Sequence, residues 1–270
     1  MFVFKNATVF LLTAFLLILL SLSADTGTVT AIHPKGNSLI NSFTKSKKIL
    51  YSEIYSDEVP KTTFYCGCSY SSGRKVDFRS CGYIPRKNKK RAERVEAEHV
   101  VPASLFGRTF SSWTEGNSAC VSGKGVKYRG RKCAGKASDE YRYMESDLYN
   151  LHPAVGEVNG DRSDNEFGEI PGEDRHYGTC DVEIKDGIIE PRPSIRGDIA
   201  RTYFYMMTAY PGRITLSEEK MTMFKEWDIS DPVSKEECDR AAKIRKIQGN
   251  INSILTDRCC SPLCVHPHTN

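Results

Sequence analysis

Apolar residues are spread unevenly along this chain, and their spacing separates its parts. From Val9 to Leu22 the sequence is apolar except at Thr13 and Ser21. Beyond that run, hydrophobic residues recur at the spacings of amphipathic helices and half-buried strands. Ile199, Tyr203, Met206 and Tyr210 share one face of a helix expected over residues 195–210. Thr215 with Glu218, and Ser234 with Glu237, have the spacing of capping boxes. They predict two more helices, one carrying Met221, Phe224 and Trp227, the other Cys238, Ala241 and Ala242, with Gly249 as a stop. Strands are shorter: Lys75 to Arg79, Val95 to Val101, and Asp181 to Ile189, the last turning back at Lys185-Asp186-Gly187. The sum is a mixed α+β domain whose second half is dominated by helices.

The first apolar run changes the picture of where the protein works. Lys5 precedes it, Ser21-Leu22-Ser23-Ala24 offers small residues for cleavage, and polar Asp25-Thr26-Gly27-Thr28 follows at once. The run is shorter than the ~20 apolar residues needed to cross a bilayer, so residues 1–24 read as an export signal removed after Ser23 or Ala24 rather than an anchor. All ten cysteines lie after it, an even number that in an exported chain argues for disulfides. Cys66-Gly67-Cys68 is too tight for a zinc knuckle, and no connectivity follows from the sequence. Residues 25–45, with scattered Thr, Ser, Gly and Asn, are expected to be a loosely ordered leading segment. No repeat or long linker divides residues 46–258, which read as one domain, and 259–270 form a tail containing Cys259, Cys260 and Cys264.

Net charge is +4, falling to +3 once Lys5 leaves, so the distribution says more than the total. Arg86, Lys87, Lys89, Lys90, Arg91 and Arg94 form one basic run, and Lys124, Lys127, Arg129, Arg131, Lys132 and Lys136 a second one without acids. Such runs are often only solvated faces. Here both flank the candidate site in sequence, and clusters of this kind are what hold phosphate backbones.

The candidate chemistry sits in Arg94-Val95-Glu96-Ala97-Glu98-His99-Val100-Val101-Pro102, where a histidine stands beside a carboxylate. Alone, the stretch could be a solvated helical face, with Arg94 and Glu98 at ion-pair spacing. A second stretch, Asp147 to Arg162, is expected to open a short helix at Pro153 that points the Asn159 amide inward. Together with Phe64-Tyr65-Cys66-Gly67-Cys68, Ser80-Cys81-Gly82-Tyr83, Asn150-Leu151-His152-Pro153, Gly156-Glu157-Val158-Asn159-Gly160-Asp161-Arg162 and Ile199-Ala200-Arg201-Thr202-Tyr203-Phe204-Tyr205-Met206, these motifs resemble the endonuclease I family. Those are periplasmic or secreted bacterial nucleases of the ββα-metal superfamily, and the likeness runs in order from about Phe64 to Cys259. The family uses eight of the ten cysteine positions, and the cluster from Cys259 to Cys264 departs from its pattern.

The resemblance implies a helix-rich single domain containing a ββα-metal motif and stapled by disulfides. It implies Glu98 and Asn159 as ligands of one Mg2+, in a site that Mn2+ or Ca2+ can also occupy, and His99 as the general base with a pKa near the ordinary value of about 6.5. Two such neighbours would point to opposite faces of a regular strand, so sharing a site requires a strand end or bulge there. Arg131 is expected on the scissile phosphate, with Arg129 as the alternative, and Lys132 and Arg162 as further substrate contacts. Arg162 could instead pair with Glu157 or Asp161. Glu145 and Asp147 are expected to support the site or to be structural rather than to be ligands, and His152 only to neighbour it. The implied function is an exported endonuclease cutting DNA, and RNA as a second substrate, with little sequence preference and 5′-phosphate products. It would act as a monomer, in the periplasm or outside the cell, without a membrane partner. The alternative is a disulfide-rich exported module that binds nucleic acid or another polyanion without cleaving it.

Overall fold

A computed structural model describes residues 36–56, 60–172 and 174–259. The export signal and Cys260 and Cys264 therefore lie outside the described residues. Helix α1 (Phe43–Ile49) starts where the Ser42 hydroxyl accepts the Lys45 N–H, and continues as a wider turn to Ile54. From Asn37 onward the expected loose leading segment is pinned: the Asn37 amide donates to Ile40 O at 2.6 Å and Tyr143 O at 2.9 Å, and Ile40 is buried. Short helices follow as α2 (Lys89–Ala92), α3 (Ala103–Gly107), α4 (Ser111–Thr114), α5 (Arg131–Ala137), α6 (Asp139–Glu145) and α7 (Gly156–Arg162). The long ones come last: α8 (Arg196–Ala209), α9 (Glu218–Ser230) and α10 (Lys235–Gln248). Ser234 caps α10 as expected, its hydroxyl accepting the Glu237 N–H, and Gly249 ends it in the left-handed region at φ 83°. At α9 the cap is Ser217, accepting from Lys220, rather than Thr215; Glu218 and Glu219 then fall in the first turn, where the helix dipole favours acids.

Strand β1 (Val95–His99) pairs antiparallel with β2 (Leu151–Val155), Val95 opposite Val155 and His99 opposite Leu151. Helix α7 begins at the next residue, so two strands and a helix form a ββα unit. Pro153 lies inside β2 instead of opening the helix. A two-stranded sheet is all edge and tolerates a residue without an N–H, while the Pro153 carbonyl accepts from Phe64 N at 2.7 Å. Expected strand Lys75–Arg79 reduces to bridges from Lys75 to Arg94 and from Val76 to Tyr70. The Asp77 carboxylate takes the Arg79 N–H at 3.0 Å and curls the chain into a tight turn at once. The third expectation holds as a hairpin: β3 (Glu166–Phe167) lies parallel to β5 (Ile188–Pro191), which pairs with β4 (Val182–Lys185) through Asp186 and Gly187, both at positive φ.

Helix α8 is buried on more than one face, with Ile199, Tyr203, Met206 and Arg201 all inside. Its Tyr205 hydroxyl, with that of Tyr210, donates to Asp147 Oδ2 at 2.7 Å, while Gln248 of α10 reaches Asp147 Oδ1 at 2.8 Å. A fully buried carboxylate thus ties α8 and α10 to the turn before β2. Among the described residues four disulfides join Cys66 to Cys180, Cys68 to Cys81, Cys120 to Cys133 and Cys238 to Cys259.

Glu157, on the first turn of α7, is 2% exposed. Its carboxylate accepts the Tyr83 hydroxyl at 2.6 Å and the backbone N–H groups of Arg86, Lys87 and Asn88, fastening that loop to the helix. Burial alone would raise its pKa, but these donors outweigh burial and hold the carboxyl below its usual range. Glu157→Gln is expected to destabilise the fold by about 1.5–3 kcal/mol at pH 7, the scale of a buried hydrogen bond to a charged group. Because the folded-state pKa is depressed, this contribution is full above the unfolded value of about 4.3 and is lost as pH falls through the folded one. Urea titrations should therefore show the two proteins converging below roughly pH 4, and a gap that persists undiminished there would contradict the assignment.

Candidate active site

A cleft of about 760 Å3 opens beside the ββα unit and is lined by Glu96, Glu98 and His99 of β1, Asn159 and Arg162 of α7, and Arg131 of α5. The end of β1 resolves the conflict between neighbouring side chains. It stops at His99, two residues short of the expected Val101, because other groups replace the ladder. Asn150 accepts the Val101 N–H at 2.7 Å and donates to the Val101 carbonyl at 3.0 Å. Arg162 donates to the carbonyls of His99 and Val100, both at 2.7 Å.

Arg162 was expected on substrate phosphate, with Glu157 or Asp161 as its alternative partner. Its side chain is instead 1% exposed, donates from Nη1 to Glu98 Oε1 at 2.8 Å, and stacks 4.8 Å over the Phe167 ring. A guanidinium enclosed in this way positions the strand end rather than meeting a polyanion. The same Glu98 oxygen also accepts the Tyr65 hydroxyl at 2.7 Å. Burial pushes the Glu98 carboxyl up, and Arg162 and Tyr65 oppose that shift. No described residue donates to the second oxygen, Oε2, of this carboxylate.

Asn159 sits three residues before Arg162 on α7 and faces β1 in the same way, donating from Nδ2 to Glu96 Oε2 at 2.9 Å. Because a carboxylate only accepts, the amide nitrogen must face Glu96, which leaves Oδ1 free as a second oxygen donor. Arg91 and Arg94 bind the far side of Glu96 and keep its carboxyl below the usual range against the opposing effect of burial. Among the described residues no group of three or more His, Cys, Asp or Glu could hold a metal ion. One buried carboxylate oxygen and one amide oxygen nevertheless fit a hard cation that keeps most of its waters.

His99 lies against the Phe43 ring with centroids 4.7 Å apart, and its Nε2 is 2.8 Å from the Glu145 carbonyl. A carbonyl cannot donate, so Nε2 carries the proton and Nδ1 keeps its lone pair. Burial, then the nearby Arg131 charge, pull the imidazole pKa down to about 3, against the ordinary value expected from the sequence. The ring is therefore neutral throughout the physiological range. Arg131 lies 5.3 Å over the same Phe43 ring and is held by Glu145, Nε to Oε1 at 2.6 Å. Glu145 thus orients both groups, one through its carbonyl and one through its carboxylate. Arg129 donates to Thr114 O at 3.1 Å and lines a separate hollow with Glu115 and Tyr128. Lys132 is exposed and is not among the residues lining the cleft. His152, opposite Glu98 in the register, packs on Phe64 away from the cleft.

Sequence reasoning passed over Phe43, Lys47 and Tyr51 of the first helical segment, Arg74, and Glu96, all of which line this cleft. Glu96 carried a readable signal, since it stands two residues from Glu98 and so on the same strand face. The others carried none, because a short polar helix and an isolated arginine have no local pattern.

The endonuclease I family model matches residues 38–259. A periplasmic deoxyribonuclease of Aeromonas hydrophila is 42% identical over 204 residues, covering 73% of this chain and 79% of that protein. An extracellular deoxyribonuclease of the same organism is 40% identical over 226 residues, covering 82% and 90%. Endonuclease-1 of Buchnera aphidicola subsp. Acyrthosiphon pisum (strain APS) is 43% identical over 202 residues, covering 73% and 74%. With the ββα unit, the imidazole and the oxygen donors gathered at one cleft, this chain belongs to the endonuclease I family and is a nuclease.

Proposed function

We propose that the protein is an exported, Mg2+-dependent endonuclease that cuts DNA, and RNA as a second substrate, with little sequence preference, leaving 5′-phosphate ends. Nucleases of this family depend on a metal ion. Here Glu98 and Asn159 would hold Mg2+, with Mn2+ or Ca2+ as possible occupants, and when bound the ion supplies positive charge to the phosphoryl oxygens and the departing 3′ oxygen. His99 takes the proton of the attacking water at Nδ1, its ring fixed by the Nε2–H bond to the Glu145 carbonyl. Arg131 grips the scissile phosphate, for which its half-exposed guanidinium beside His99 is placed better than Arg129 or Lys132. Lys47, Arg74, Arg91 and Arg94 surround the cleft and favour a polyanion without reading bases. Contacts of that kind do not depend on a 2′-hydroxyl, which is why RNA is included. Export to the periplasm or the medium follows from the apolar leader and from relatives described as periplasmic and extracellular. The protein is expected to act as a monomer, free of the membrane.

The observation that carries this reading is a neutral imidazole of fixed tautomer, beside a buried carboxylate and an arginine, in one cleft. A module that only bound polyanions would have no use for a buried acid and base. Plasmid incubated with the oxidised protein and Mg2+ should give a smear that chelator abolishes. His99→Ala is expected to lower the rate by about 10²- to 10⁴-fold, the usual scale for a general base, and undiminished cutting would remove it from that role. Arg131→Ala should cost on the order of 10²-fold, as for loss of one charge-stabilising donor, whereas Arg129→Ala should stay within about threefold, as for an ordinary surface change. The reverse ranking would transfer the phosphate to Arg129.

Arg162→Met should act on stability as well as rate. It leaves Glu98 without its counter-charge, with only the Tyr65 hydroxyl as donor, and removes the guanidinium from two strand-end carbonyls, so a loss of about 3–5 kcal/mol is expected in denaturant unfolding. A melt like that of the wild type would show that the guanidinium is not the clamp described above.

A further inference from the structure

The geometry points to Glu96, held by Arg91, as the positioning residue that decides which atom of the Asn159 amide faces the cleft. The inference rests on the reading of Asn159 as a metal ligand and adds what makes it one. An asparagine side chain presents either an oxygen, which attracts a cation, or an NH2 group, which repels it, and the two differ only by a half-turn. Nothing in Asn159 itself makes that choice. Glu96 makes it, because its carboxylate can only accept and its Oε2 stands 2.9 Å from Nδ2.

Glu96 is in turn kept in place from the other side. Arg91 binds it in a fork, Nε to Oε1 at 3.0 Å and Nη2 to Oε2 at 2.7 Å, and Arg94 reaches Oε1 at 2.9 and 2.7 Å. Helix α7 makes room for this clamp with two glycines. A Cβ on Gly160 would overlap the Arg91 guanidinium, and one on Gly156 would stand 2.5 Å from Arg91 O and 3.0 Å from Glu96 Oε1. The helix face on both sides of Asn159 is thus bare where the arginine lies. Glycine inside a helix costs roughly 1 kcal/mol relative to alanine, so this bareness has a price that the clamp explains.

Glu96→Gln separates charge and shape. Arg91 Nε and Arg94, which share Oε1, would hold the single oxygen of the new amide, turning its NH2 toward Asn159 and Arg91 Nη2. Two NH2 groups cannot face each other, so Asn159 would rotate and present Nδ2 to the cleft. The test is Mn2+ binding to the intact oxidised protein without substrate, by titration calorimetry or the decrease of the free-ion electron paramagnetic signal, with a thermal melt of each variant. Asn159→Ala and Glu96→Gln are each expected to weaken Mn2+ binding by about 10-fold or more, the usual range for removing such a supporting group. The double variant should lose no more than Asn159→Ala alone, because Glu96 acts only through that amide. Gly160→Ala, which displaces the Arg91 guanidinium while leaving Glu96, Glu98 and Asn159 unchanged, should weaken binding by at least about threefold and decides the matter if Glu96→Gln fails to fold. Weakened binding in Asn159→Ala with wild-type binding in Glu96→Gln, or additive losses in the double variant, would overturn the inference alone. Wild-type binding in Asn159→Ala would overturn the ligand reading and this inference with it.

Discussion

The buried Arg162 guanidinium sets the geometry on which the site depends. A charge this enclosed must be matched, and it is matched by one carboxylate oxygen and two strand-end carbonyls. Both carbonyls lie where the β1–β2 pairing runs out, its last backbone bond being Val100 N–H to Asn150 O at 3.1 Å. By binding them, Arg162 fixes the strand end just past His99, where consecutive residues no longer need to part to opposite faces. Glu98 and His99 can then share a cleft. The dependence is mutual, since Glu98 is buried and Arg162 opposes the upward push that burial gives its carboxyl.

Helix α7 extends the same logic in two directions. Asn159 and Arg162, three residues apart, lie on the side facing β1, while Glu157 points away to the loop of Arg86, Lys87 and Asn88. That loop leads directly into α2, whose Arg91 returns across Gly160 to bind Glu96. A single seven-residue helix therefore fastens the strand end, the loop behind it and the amide at the cleft. Too short to be stable alone, it is held by these polar contacts and by buried Val158.

What the chain's pattern shows and what it hides follow from the range of the interactions. The hairpin at Asp186-Gly187, the cap of α10 and the burial of Ile199, Tyr203 and Met206 depend on neighbours within a few residues, and each was legible. That Glu98, His99 and Asn159 line one cleft was to be expected only through family resemblance, because no local rule joins segments some sixty residues apart. The partner of Arg162 was misjudged for that reason: helical spacing suggests Glu157 or Asp161, while the true partner lies 64 positions away. Pro153 misled because a helix start and an edge strand both tolerate a missing N–H. His99 kept its expected neighbours but not its expected pKa, since burial is a property of the fold and not of the motif.

The two basic runs show how backbone geometry sorts residues that composition treats alike. Of their twelve members only Arg91, Arg94 and Arg131 line the cleft. In the second run the separation is made at Gly130, whose φ of 80° and ψ of −159° lie in a region essentially closed to other residues. Its N–H is fixed to Trp113 O at 2.9 Å, and two residues beyond Arg131 the chain is tied again by the Cys120–Cys133 disulfide. Between these ties the chain enters α5. Arg129 is left on the Thr114 side, while Arg131 starts α5 with its guanidinium over Phe43 and against Glu145. Any side chain at position 130 would oppose that backbone conformation, so the separation of two nearly identical arginines rests on the one residue between them that has none.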